Sequence, residues 1–210
     1  EYIKGHTKNI EALLDFVPDM IYHLGEYART SQSFDDVERV MEANIVGTLR
    51  VLEFCRKNNV RILYAGSSTK FGDGGEGASQ SPYAWAKAHN TELVVKYGEW
   101  FDMDYVITYF YNVYGPRELS GKHGTLIEIF REKHAQGVAL TVVSPGTQKR
   151  NFTHVEDIVR GLILVGEHGN GDGYALSHED SYSVLEVAEM FGGKIEMLPE
   201  IRGNRFESSL

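Results

Sequence analysis

Short apolar runs alternate along this chain with longer amphipathic stretches, and that alternation limits the fold to strands and helices laid in turn, rather than a sandwich or a bundle. Met20-Ile21-Tyr22-His23-Leu24 predicts a buried strand. Val37, Met41, Ile45, Thr48, Leu52 and Cys55 then recur every three or four residues, which predicts one face of a helix from about Phe34 to Lys57. Arg61 to Ala65 reads as the next strand. A second long helix, Pro82 to Phe101, sends Leu93, Val94, Tyr97 and Phe101 toward a core, and Tyr105 to Tyr111 follows as a strand.

Beyond Asn112 the period loosens. Three Ser/Thr-x-x-Glu capping boxes, Thr125/Glu128, Thr153/Glu156 and Ser183/Glu186, predict helix starts there, each hydroxyl satisfying an orphan amide of the first turn. Leu140 to Val143 and Tyr174 to Leu176 fit strands between them. The expected organisation is a partial sheet domain over residues 1–118, then a smaller mixed lobe over 119–210, with Leu140 to Gly166 returning to the sheet.

Composition narrows the function classes. No run approaches the roughly 18 apolar residues of a membrane span. A net charge of −9 with scattered lysine and arginine argues against nucleic acid, which demands clustered cations. The single cysteine, Cys55, sits in an apolar helical setting, fits a reducing compartment, and reads as core packing before chemistry. No metal is expected, and the cytoplasm is the expected location.

The main chemical signal is Tyr83-Ala84-Trp85-Ala86-Lys87, which stacks a phenol and an ammonium one turn apart on a helix face. A cation at that distance favours phenolate, so the oxygen can take a proton from a substrate hydroxyl near neutral pH. With 12 tyrosines in the chain a chance match is easy, and a surface tyrosine beside a lysine is the bland reading. Context favours chemistry: the pair opens a helix behind Pro82, and upstream a strand ends in Gly66-Ser67-Ser68-Thr69. Hydroxyls there stand at the carboxyl edge of the sheet, where open α/β sheets bind ligands. Ser67 could align a substrate hydroxyl with Tyr83, although small hydroxylic residues are also ordinary turn formers.

Six segments, in order, resemble the extended short-chain dehydrogenase/reductases that act on nucleotide sugars, and UDP-sugar 4-epimerases most. They are His23-Leu24-Gly25-Glu26, Asn44-Ile45-Val46-Gly47-Thr48, Gly66-Ser67-Ser68, Ser81 to Lys87, Tyr111-Asn112-Val113-Tyr114-Gly115-Pro116, and Arg150 to Asp157. The resemblance implies a Rossmann-like, doubly wound parallel sheet carrying a smaller mixed α/β substrate lobe. It implies NAD as cofactor, a UDP-sugar as the substrate, and a homodimer paired through the two long helices. Ser67, Tyr83 and Lys87 would be catalytic, with Lys87 also on the nicotinamide ribose. Leu24, Gly25, Asn44 and Tyr111 would line the NAD site. Asn112, Leu126, Arg150 and Arg202 would reach the nucleotide diphosphate, in keeping with the anion affinity of helix amino termini and arginine forks.

Two departures from the family pattern bear on the reading. The glycine-rich dinucleotide loop belongs on an initial strand-helix-strand unit, which this sequence lacks. Gly72-Asp73-Gly74-Gly75-Glu76-Gly77 fits G-x-G-x-x-G as text, but no helix opens behind it and Asp73 and Glu76 would repel a pyrophosphate. It is expected to be a mobile loop bordering the substrate. The chain opens at Glu1 without methionine, so an internal segment of a longer protein, with the cofactor half upstream and weak NAD binding by itself, is the expectation. Second, Ser68, Thr69, Lys70 and Phe71 follow Ser67 where sugar 4,6-dehydratases carry an Asp-Glu pair, which disfavours eliminating water. The expected activity is thus 4-epimerisation through a transient 4-keto sugar. A dehydratase or keto-sugar reductase, and a non-catalytic nucleotide-sugar-binding fragment, stay open as alternatives.

Overall fold

A computed structural model describes residues 2–68, 77–121 and 124–200. Four parallel strands, β1 (Met20–His23), β2 (Arg61–Ser67), β3 (Tyr105–Phe110) and β7 (Gly171–Leu176), form the main sheet in the order β1-β2-β3-β7. Successive strand residues point to opposite faces, and both faces are covered, as a parallel sheet requires. Ile62, Tyr64, Ile107 and Tyr109 face α3 (Gly47–Asn58) and α4 (Pro82–Phe101), where Val51, Leu52, Cys55, Val94 and Tyr97 complete the core. Leu63 and Val106 face the other way and pack against Ile158 and Leu162 of α6 (Val155–His168). The chain is a doubly wound α/β fold.

Local chemistry explains where the elements begin and end. Ser81 caps α4, its Oγ accepting from the Ala84 amide at 3.1 Å, and Pro82 occupies the first turn, where its missing N–H costs nothing. Asn59 and Asp102 end α3 and α4 in the left-handed conformation. The helix expected from Phe34 to Lys57 is helical from Val37, as α2 (Val37–Val40) running into α3, but Met41–Val46 between them winds as a π turn. A wider turn of this kind recurs at functional sites. Apolar period alone does not reveal it.

The remaining residues form smaller units. β4 (Asn112–Tyr114), β6 (Lys149–His154) and β8 (Ser181–Ser183) make a three-stranded sheet. β5 (Leu140–Val143) pairs with β9 (Ile195–Leu198), and α5 (Leu126–Ala135) and α7 (Val184–Phe191) close a separate core around Phe130, Leu140, Val142 and Val187. What returns to the main sheet is α6 and β7; β5, inside the stretch expected to return, lies with β9, and β7 lies beyond that stretch. A short helix, α1 (Ile10–Leu13), lies ahead of β1.

Only one of the three expected capping boxes forms. Ser183 and Glu186 satisfy each other's backbone amides at 3.1 and 2.6 Å. Thr125 does stand at the N-cap of α5, but its hydroxyl bonds the Glu118 carboxylate, and Glu128 instead forks onto Arg131. Thr153 is the penultimate residue of β6 and accepts from the His178 amide, so His154 caps α6 in its place. In both cases a nearer partner outcompetes the local box.

Candidate active site

Ser67 is the last residue of β2, paired in register with Phe110, and Tyr83 lies in the first turn of α4. The Tyr83 hydroxyl donates to Ser67 Oγ at 3.3 Å, so the phenol and the strand-end hydroxyl meet at the carboxyl rim of the sheet. Gly66, just before Ser67, leaves room for the Tyr109 ring of β3; a Cβ there would stand 2.5 Å from it.

Both side chains border a cleft of about 480 Å³. Its lining also includes Tyr111, Asn112, Arg150 and Leu126, four residues expected on the ligand, together with Arg29, Thr30, Ser31 and Glu118, which sequence reasoning did not single out. Thr125, Leu126 and Ile127 bring the amino terminus of α5 to the wall, a favourable place for an anion. Asn112 Nδ2 donates to the Asn151 carbonyl of the neighbouring β6 at 3.2 Å, and Arg150 Nη1 donates to the Lys149 carbonyl of its own strand at 2.7 Å.

Lys87 lies under this surface, 6% exposed. Its ammonium donates to the Glu26 carboxylate and to the Ala65 carbonyl, and stands 4.5 Å from the centre of the Tyr64 ring. Glu26 is the hub of a buried polar network. Its carboxylate also accepts from Thr48 Oγ1 at 2.7 Å, Asn90 Nδ2 at 2.8 Å and the Tyr64 hydroxyl at 3.2 Å. His23 Nε2 meets Thr48 Oγ1 at 2.8 Å, and burial of the imidazole pushes its pKa down to about 4, with Lys87 adding to the shift and Glu26 opposing it. The Tyr64 hydroxyl is held well above the ordinary phenol range, by burial first and then by the Glu26 charge.

Asn44, expected along the cofactor, is fully buried. Its side chain pins the backbone of Tyr27 at both ends, at 2.8 and 3.1 Å, and its carbonyl, inside the π turn, accepts from Asn90 at 2.9 Å. It anchors the loop after β1. Leu24 and Gly25 stand on that loop, Leu24 48% exposed, as an apolar ledge at the carboxyl end of β1. Arg202 and the Gly72 to Glu76 loop lie outside the described residues. Asn90 was within reach of the sequence: Tyr83, Lys87 and Asn90 fall at i, i+4 and i+7, one face of α4.

Residues 3–176 match the NAD dependent epimerase/dehydratase family, and the chain belongs to it. An uncharacterized UDP-glucose epimerase of Bacillus subtilis is 28% identical over 195 residues, which cover 88% of this chain and 60% of that protein. UDP-glucuronic acid decarboxylase 3 of Arabidopsis thaliana is 28% identical over 184 residues, 81% of this chain and 54% of the relative. The crystal structure of a Thermus thermophilus UDP-glucose 4-epimerase in complex with NAD superposes with a TM-score of 0.89 at 23% identity, over 98% of this chain and 74% of that one. The chain therefore spans a little over half the length of these curated relatives. Among the described residues no helix is long and apolar enough to cross a membrane.

Proposed function

We propose that this chain carries the catalytic residues of an NAD-dependent nucleotide-sugar 4-epimerase, with Tyr83 as the acid-base group. The observation that carries the reading is the 3.3 Å hydrogen bond between Tyr83 and Ser67 on the rim of a cleft large enough for a sugar ring. Bound NAD would supply the acceptor and donor of a hydride. Tyr83, as phenolate, takes the proton of the sugar C4 hydroxyl, which Ser67 holds in line. The resulting 4-keto sugar turns over in the cleft, and O4 takes its proton back from Tyr83 as the hydride would return from the reduced cofactor to the opposite face of C4.

The residues fit a dinucleotide's nicotinamide end. The ledge of Leu24 and Gly25 offers an apolar seat, Tyr111 lines the cleft, and Lys87 lies one helical turn from Tyr83 for the ribose. Asn112, Arg150 and the α5 amino terminus at Leu126 would hold the diphosphate of a UDP-sugar, and Arg202 extends the same expectation beyond the described residues. Pairing with a second copy through α3 and α4 belongs to this reading. It is supported by the exposure of Leu49, Trp85 and Trp100 on those helices. Tyr83→Phe is expected to lower turnover at least ~100-fold while leaving nucleotide-sugar affinity nearly intact. The assay is incubation of the purified protein and NAD with a panel of nucleotide sugars, with products identified by mass and chromatography; full turnover in Tyr83→Phe would remove the mechanism. An unchanged product mass is the epimerase outcome. Loss of water or of carbon dioxide would reassign the chemistry to the other activities named among its relatives.

A further inference from the structure

Lys87 and Glu26 form an ion pair with side chains only 7% and 5% exposed. A surface pair so placed would be worth little, but a pair this deep answers to a different rule: a buried ammonium without a counter-charge sheds its proton. Every other contact reinforces the carboxylate. Thr48 from α3, Asn90 from α4 and Tyr64 from β2 all donate to it, which leaves Glu26 with little freedom to move. The Ala65 carbonyl is the remaining acceptor for the ammonium, and a carbonyl dipole cannot replace a full negative charge.

We propose that Glu26 is the positioning residue of this site, holding Lys87 protonated and fixed one helical turn from Tyr83 by a buried carboxylate. Its consequence for catalysis rests on the reading of Tyr83 above, but its effect on Lys87 does not. The titratable groups that face the pair are His23 from β1, Tyr64 from β2 and Tyr83 from α4; α3 contributes only the Thr48 hydroxyl. Removing one negative charge from such a group makes every neighbour release its proton more readily. Lys87 and Tyr83 should therefore both titrate at lower pH when Glu26 is neutral. A role confined to packing would reduce stability or amplitude and move neither.

The test reads Lys87 directly. Heteronuclear NMR of lysine-13C-labelled protein across a pH series, with the Lys87 13Cε signal assigned by its loss in Lys87→Arg, gives the Lys87 titration midpoint without needing reagent access, with exposed Lys194 as internal reference. In Glu26→Gln the Lys87 midpoint is expected to fall by at least ~1 pH unit, while Glu26→Asp, which keeps the charge, stays within about 0.5 unit of the unsubstituted protein. Glu26→Ala should behave like Gln and recover toward the original midpoint when formate is added. An identical Lys87 midpoint in the unsubstituted protein and both neutral variants overturns the proposal. Where turnover is measurable, both limbs of the pH-rate profile should shift to lower pH in Glu26→Gln; lost amplitude with fixed limbs also overturns it. A shifted Lys87 midpoint alongside full turnover by Tyr83→Phe would retire the catalytic reading and leave the Glu26 assignment standing.

Discussion

His23 shows how much a single residue commits the fold to a protonation state. It is buried beside Thr48 and the Tyr64 ring, and desolvation lowers its pKa to about 4 from an ordinary value of 6.5. The unfolded chain binds this proton first, so the stability His23 contributes is complete above pH 6.5 and is lost as the pH falls toward 4. The shift corresponds to about 3 kcal/mol at full development. Urea unfolding at pH 7.5 and pH 4.5 should differ by less in His23→Gln than in the unsubstituted protein; equal differences would refute the assignment. At this scale the sequence was partly transparent. Ser67 and Tyr83 stand together where a hydroxylic strand end and a helix-opening tyrosine predicted they could. Asn44, expected along the NAD site, spends its side chain on Tyr27, because a buried amide goes to the nearest unpaired backbone groups, and no local pattern names those.

Among the elements, α3 and α4 are tied across their solvent side by a three-way contact. Glu53 of α3 accepts a fork from Arg56 and, at 2.9 Å, the Tyr97 hydroxyl of α4. The Arg56 bonds come first in holding the Glu53 carboxyl down to about 2, and burial, with Glu53 second, pushes Tyr97 up to about 12. Because the folded-state pKa is depressed, the contribution of Glu53 is full above the usual carboxylate range and disappears as the pH falls to about 2. Solvent screens a pair this accessible, so Glu53→Gln is expected to cost about 1 kcal/mol at pH 7 and nothing near pH 2. Thermal unfolding of both proteins at the two pH values checks it. Helix positions were legible because buried faces repeat with the helical period. The π turn and the three-residue strands β4 and β8 were not, since so short a strand carries too few positions to display alternation and a π turn preserves the apolar period on either side.

For the whole molecule, the cleft draws its walls from units that do not share a core. Ser67 and Tyr83 belong to the main sheet and its helices, and Tyr111 directly follows β3, whereas Leu126 and Ile127 belong to the cluster around Phe130 and Leu140. The alternation of strands and helices foretold the first unit. It could not foretell that β7 would cross back beside β3, because strand order is settled by contacts distant in sequence. A compound lodged in the cleft touches both units at once, so it should act as a brace between the two cores. Saturation with a nucleotide diphosphate at 100 times its Kd is expected to add about 2.7 kcal/mol and to merge any separate calorimetric transitions into one. Two transitions that persist unchanged under saturation would mean that the ligand rests on one wall alone.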